Sequence, residues 1–346
     1  MTIRNGVTID GVLARLPPSC PPRGRGWCAA LACLLEATAP KPGNVHPTAS
    51  FPDLAYDDLV AAALAIAPAM ERAAANPLGR TILDAITASR AVTRSNANLG
   101  IVLVIAPLAA VPDRDSGSAG IVPADVEAVL SRLTAADAAQ VWQAIHEARP
   151  GGMGASSRWD LADPPPVDLR AAMRHAATHG PGDQIARLWA EGYGGLFAGP
   201  VQDLGAELGA SHPPAGTARL SQHSSGVLPN RESTGVLVLD AIVRCQLRHL
   251  ARVSDTLIAR RHGVDVAADV SRRAAAVLAE SEAGWRGAAA AFDRHLRTGR
   301  RLNPGTTADL LAAALYILLR DGRLPAPLDM ELPLDVARIP SPTERA

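Results

Sequence analysis

Apolar residues along this chain recur at every third and fourth position far more often than at every second, the spacing of helices that each bury one face. Alanine and leucine, both strong helix formers, fill those segments. The pattern predicts helices over 27–38, 54–75, 79–93, 98–111, 124–148 with a break at Thr134, 168–179, 183–197, 233–252, 255–262, 265–281, 284–298 and 306–321. Val236 to Val243 is rich in β-branched residues, but no alternating partner lies nearby and the helical spacing runs on to Leu250, so it reads as helix. The longest apolar run, Leu99 to Val111, is interrupted by Gly100 and Pro107 and is shorter than the roughly 20 residues that cross a bilayer. It reads as a buried helix. The expected fold class is all-α, a single multi-helix bundle domain over 26–323 with an irregular arm at 1–25 and a proline-rich tail at 324–346. Inside it, 199–233 is rich in Gly, Pro, Ser and His and reads as a long polar loop with at most a short helix at 201–209.

Composition narrows the partners. A length of 346 residues with 48% hydrophobic content is ample for a buried core. Thirty-four acidic and 34 basic residues cancel and are mixed along the chain, which argues against a nucleic-acid or anionic-membrane surface and requires any anion site to be local. Cys20, Cys28, Cys33 and Cys245 form no CxxC pair, and no secretory signal opens the sequence; a reducing cytoplasm fits best.

Within the basic residues one position differs. Lys41 is the sole lysine beside 33 arginines. Arginine excess can reflect base composition alone, but a lysine is a compact point charge that can reach a phosphate oxygen or, once desolvated, lower its pKa. It lies in Glu36-Ala-Thr-Ala-Pro-Lys41-Pro-Gly43-Asn44-Val-His46, where residues before proline leave helical dihedrals and Gly43 allows a sharp turn or a close backbone approach. Three further segments join special backbone residues to polar groups. Arg94-Ser-Asn96-Ala-Asn98-Leu-Gly100 introduces an apolar helix with two amides, of which one can cap it while free N–H groups face an anion. Ser254-Asp255-Thr-Leu-Ile-Ala-Arg260-Arg261-His262-Gly263 carries a cap, an early aspartate and basic residues in its last turn, all of which also serve helix stability. Asn303-Pro-Gly-Thr306-Thr307-Ala-Asp309 resembles a capping box and equally suits a phosphate or magnesium site.

Other patterns carry less. A Walker A loop is excluded because the only lysine is flanked by prolines. Gly152-Met-Gly154 follows Pro150 rather than a strand and reads as a turn. His175 and His179 share a helix face at metal-ligand spacing, but no acidic residue completes a zincin pattern, so a solvated face is the reading.

EATAPKPGNVHP, SNANLGIVLVIAPLA, RPGGMG, LRAAM with DQIARLWAEGYGGLF, SDTLIARRHG and LNPGTTADLLAAALYILL occur in the order seen in the triphosphoribosyl-dephospho-CoA synthase family, which the chain resembles from about Trp27 to Gly322. That resemblance implies an all-helical enzyme that displaces adenine from ATP and joins the triphosphoribosyl group to a hydroxyl of 3′-dephospho-CoA. Where the citrate-lyase branch reads Asn-Thr-His-Lys-Gly, this chain reads Asn96-Ala97-Asn98-Leu99-Gly100, and Asn44-Val45-His46 replaces Leu-Val-Asp. This version is similar to archaeal and methylotroph-type members. On the resemblance, Lys41, Arg260 and Arg261 are expected on phosphates, and Asn96 and Asn98 on ribose or phosphate. Gly43, Asn44, Asn303, Thr306 and Thr307 complete the expected substrate contacts. Asp255 and Asp309 are expected as magnesium ligands or general base, with Glu36 a third carboxylate, and Mg2+ enters with the ATP. The alternatives are the same transfer to another hydroxyl, such as a pterin precursor, and a helical nucleotide-binding protein without turnover.

Overall fold

The computed structural model describes residues 7–113, 120–149, 159, 161–211, 231–324 and 331–332. In chain order its first helices are α1 (Ile9–Leu13), α2 (Arg25–Thr38), α3 (Tyr56–Glu71), α4 (Leu78–Val92), α5 (Leu99–Ala109), α6 (Pro123–Leu130), α7 (Ala135–Ala148) and α8 (Leu169–Thr178). Then come α9 (Gln184–Glu191), α10 (Gly194–Leu196), a π-helical turn (Phe197–Val201), α11 (Gln202–Ser211), α12 (Arg231–Arg252), α13 (Thr256–His262), α14 (Val264–Leu278), α15 (Trp285–Arg297) and α16 (Gly305–Arg320). The fold is all-α. Its described extended structure is one antiparallel pair of two-residue strands, β1 (Val7–Thr8) and β2 (Glu331–Leu332), with Val7 opposite Leu332.

Two helices form the centre. Every residue of α2 from Gly26 to Thr38 is buried, and so is nearly all of α16. A helix apolar all round is one surrounded by protein, and α2 packs against α3, α16 and α5 while α16 also meets α5 and α12. Each fully buried leucine or isoleucine there, such as Leu31, Leu34, Leu315 and Ile317, contributes about 1.5–3 kcal/mol relative to exposure. The apolar run from Leu99 becomes α5, buried at almost every position. Among the described residues no helix is long and apolar enough to cross a membrane.

The predicted break at Thr134 separates α6 from α7, whose Thr134 Oγ1 accepts from Asp137 N at 3.2 Å while Asp137 Oδ2 accepts from Thr134 N at 2.9 Å. Val236 to Val243 is helical within α12. Three expectations change. The helix expected over 183–197 divides, because Gly192 (φ 76°) ends α9 in the left-handed region and Tyr193 (φ 68°) follows it there. Tyr193 is held in that conformation by complete burial and by its hydroxyl, which donates to Leu103 O at 3.3 Å and Val104 O at 3.2 Å. The expected loop at 199–233 is helical at its described ends, through α11 to Ser211 and from Arg231 onward; the rest lies outside the described residues. The expected irregular arm contains α1, capped by Thr8 Oγ1, with Ile9 and Val12 buried in the core. The Gly152–Gly154 turn lies outside the described residues.

Candidate active site

A cavity of about 1180 Å³ opens between the C-terminal end of α2, the starts of α5, α9 and α16, and α7, α8 and α13. All four polar segments contribute to its wall. Glu36 and Asn44 come from the first, Asn96 and Asn98 from the second, Arg260 and Arg261 from the third, and Asn303, Thr306 and Asp309 from the fourth. Lys41, Gly43, Asp255 and Thr307 were expected there too but do not line it.

Each of those four has a structural reason. Lys41 is fully buried, and its Nζ meets Glu36 Oε1 at 2.8 Å, the Glu36 carbonyl, and Ala39 O at 3.5 Å. An ammonium has three hydrogens, so three acceptors leave none for a phosphate. Gly43 (φ 80°) makes the turn: a Cβ there would lie 2.7 Å from Leu302 O and 2.8 Å from Pro304 Cδ. Its N–H donates to Asp293 Oδ1 at 2.8 Å. Asp255 is fully buried and caps two helices at once. Its Oδ1 accepts from Leu257 N and Ile258 N in α13 at 2.9 and 3.0 Å, and its Oδ2 accepts from Thr307 N and Oγ1 in α16, both at 2.8 Å. Burial pushes the Asp255 carboxyl above its usual value, and these four hydrogen bonds act against that rise. With both oxygens so occupied it joins the starts of α13 and α16 rather than facing the cavity. Thr307 is correspondingly the partner of that cap.

The asparagines divide between frame and wall. Asn44 Nδ2 donates to Asn303 Oδ1 at 2.8 Å and its Oδ1 accepts from Gln246 Nε2 at 2.7 Å, tying the first segment to the fourth and to α12. Asn98 Oδ1 accepts from Ser89 Oγ at 2.9 Å and Nδ2 donates to Ala62 O at 3.3 Å, anchoring the start of α5 to α4 and α3. Exposed Asn96 does the capping, accepting from Leu99 N at 3.4 Å. The expected capping box at Thr306 does not form, because α16 begins at Gly305 with Pro304 as its N-cap. Thr306 Oγ1 instead accepts from Thr256 Oγ1 at 3.2 Å, and Asp309 turns towards α5.

The wall's carboxylates differ in their partners. Glu36 has Lys41; Asp53 has Arg301; Asp183 caps α9 through Ala186 N at 2.9 Å and pairs with Arg260. Asp309 is half-buried and, among the described residues, takes no hydrogen bond or ion pair. Burial, then Glu36, Asp255 and Asp183, push its carboxyl well above the usual range, with Arg260 acting against them. Arg260 gives one nitrogen to Asp183, while its buried Nε has no acceptor among the described residues. Among the described residues no group of three or more His, Cys, Asp or Glu could hold a metal ion.

Several wall residues were not anticipated. Asp183 reads in sequence as a plain N-cap, and its pairing with Arg260, 77 positions away, has no local signal. Trp142, Trp159, Met173, His175 and His179 also line the cavity. The two imidazoles, read as a solvated face, stack with centroids 3.4 Å apart and line the cavity.

A family model described as ATP:dephospho-CoA triphosphoribosyl transferase matches residues 22–223 and 230–326. The fold is similar to a crystal structure from Archaeoglobus fulgidus of a protein provisionally assigned as a triphosphoribosyl-dephospho-CoA synthase. That likeness has a TM-score of 0.53 at 20% identity and covers 76% of this chain and 99% of that one. No curated protein sequence matches this chain at a significant level.

Proposed function

Because this chain belongs to the ATP:dephospho-CoA triphosphoribosyl transferase family, we propose that its cavity binds ATP with the ribose at Asp309 and that Asp309 is the general base of the transfer. The reaction moves the triphosphoribosyl group of ATP to dephospho-CoA and releases adenine. A hydroxyl oxygen of the acceptor bonds to C1′, the C1′–N9 bond breaks, adenine leaves with the electron pair and takes up a proton from solvent, and the hydroxyl proton passes to a base. The carrying observation is that, among the described residues, Asp309 is a wall carboxylate with no hydrogen-bond donor, whereas Glu36, Asp53 and Asp183 are each paired. A raised pKa makes it a stronger proton acceptor than an ordinary aspartate.

Charge sets the direction of the nucleotide. Glu36 and Asp309 would repel phosphate, whereas the Nε of Arg260, together with Arg261, Arg94 and Arg301 on the same wall, suits the triphosphate. Magnesium arrives as part of the substrate, held mainly by phosphate oxygens and water. Asn98 and Leu99, where the sequence departs from the citrate-lyase branch, both lie on the wall, which favours as a second reading the same transfer to a different hydroxyl acceptor.

The test is mass-resolved chromatography after incubation with ATP, Mg2+ and dephospho-CoA. Adenine and the adduct together support the full reaction, and adenine without the adduct selects the second reading. Unchanged turnover in Asp309→Asn would remove Asp309 as base.

A further inference from the structure

The lysine that stands alone among arginines is fully buried beside the cavity, yet it does not line it. Its three hydrogens are matched by Glu36 Oε1 at 2.8 Å, the Glu36 carbonyl and Ala39 O at 3.5 Å. Two of these acceptors are carbonyls at the C-terminal end of α2: that of Glu36 lies in the last turn, whose carbonyls lack intrahelical donors, and that of Ala39, the C-cap, also accepts from Lys41 N at 2.7 Å. The third belongs to a side chain on the cavity wall. Glu36 Oε2, by contrast, has no hydrogen-bond donor among the described residues.

Stability alone does not account for such a pair. Desolvating both ions offsets most of their attraction, and apolar residues of similar volume are commonly as stable or more so. Nor would arginine serve, since a planar five-donor fork cannot fold into the small space where a compact ammonium meets three convergent acceptors. Pro40 and Pro42 fix the backbone on both sides of Lys41, so the ammonium is delivered to one place.

We propose that Lys41 is a positioning residue for Glu36, holding its carboxylate so that Oε2 accepts hydrogen bonds from the ribose hydroxyls of the bound nucleotide. The ligand feature recognised is a vicinal diol, because an anionic oxygen attracts hydroxyl donors and repels phosphate. This rests on the nucleotide reading of the cavity given above. It replaces the phosphate contact expected of Lys41 with one that acts through its neighbour.

Equilibrium binding of ATP and of 2′,3′-dideoxy-ATP, both with Mg2+, tests the proposal without requiring turnover. The wild-type protein should prefer ATP by roughly 10–100-fold, the range for hydrogen bonds to a charged group. Glu36→Gln and Lys41→Met should each bring that preference to within about threefold, and Lys41→Arg should not restore it. The double variant should lose no more than either single one, as residues acting as a unit do. Glu36→Gln keeps the shape of the site and an oxygen for Nζ, so it carries the test if Lys41→Met does not fold. A purely structural role would weaken both nucleotides alike and leave the preference intact, which overturns the proposal. A wild-type protein that binds ATP without preferring it overturns this inference alone, whereas one that binds no ATP overturns the nucleotide reading as well.

Discussion

Gly100 and Asp309 occupy one another's space: a Cβ built on Gly100 would lie 2.0 Å from Asp309 Oδ2 and 2.4 Å from its Cγ. The first turn of α5 therefore approaches the carboxylate as closely as a bare backbone permits. What glycine supplies at this second position of α5 is room for the carboxylate, since any side chain would meet it.

Gly100→Ala should separate stability from activity. The added methyl helps α5 by propensity but swings the Asp309 carboxylate aside, and a displacement of about 1 Å can cost on the order of 100-fold in rate. A melting temperature held or raised, with adenine release reduced by that order, is the expected pair of results. Full activity in the variant would show that Asp309 works equally well from another rotamer.

Asp309→Asn should reduce turnover by roughly 10²–10⁴-fold, the range for loss of a general base. The pH profile of the unmodified protein carries the sign. Burial and the nearby acids raise the Asp309 carboxyl well above the usual range, and the ionised form is the active one. The rate should therefore rise with pH through that raised value and fall below it, and kcat measured from pH 4 to 9 would locate the limb.

Asp255→Ala should behave differently from changes at Asp309. It removes the acceptor for Leu257 N, Ile258 N and both Thr307 donors, uncapping two helices at about 1–2 kcal/mol each. A urea titration should show about 2–4 kcal/mol less stability. Folded protein should still bind ATP, since Asp255 does not line the cavity. Loss of binding with stability unchanged would return Asp255 to the reaction.

His249 predicts acid sensitivity. Burial first, then Arg252, lower its pKa from 6.5 to about 4, with Asp203 acting against them. Gln184 Nε2 lies 3.1 Å from its Nε2. A depressed histidine pKa means that the unfolded chain binds the proton more readily. The contribution is therefore complete above pH 6.5 and is lost as pH falls towards 4, amounting to about 3 kcal/mol. His46, also lowered to about 4, adds in the same sense, while the raised Asp255 and Asp309 run the other way. The comparison that isolates His249 is the change in urea midpoint between pH 7 and 4.5 in the unmodified protein and in His249→Gln, which should show the smaller change.

Much of the fold was legible because alanine and leucine write helical spacing without ambiguity, and because Thr134, three residues before Asp137, is a local signal for a helix start. The wall was legible where polar groups interrupt apolar helices, as at Asn96 and Thr306. What the sequence could not convey was the direction in which each polar group turns. Asp255 and Asp309 look alike as aspartates near helix starts, yet one is spent on two caps and the other faces open space. That difference depends on Thr307 lying 52 positions from Asp255. Lys41 was conspicuous by composition, but its pairing with Glu36 depends on the path of the chain around Pro40 and Pro42, which spacing alone does not give.

Asn44 reaches Asn303 across 259 residues, and α2 is enclosed partly by α16, among the last described elements. At roughly 5–20 residues per second of synthesis, on the order of 10–50 s separates the appearance of those two asparagines. Through that interval the largely apolar α2 lacks its final cover and the cavity has only part of its wall. A nascent chain therefore has ample time to expose a sticky helix but none in which to bind nucleotide, so ATP can select only finished molecules.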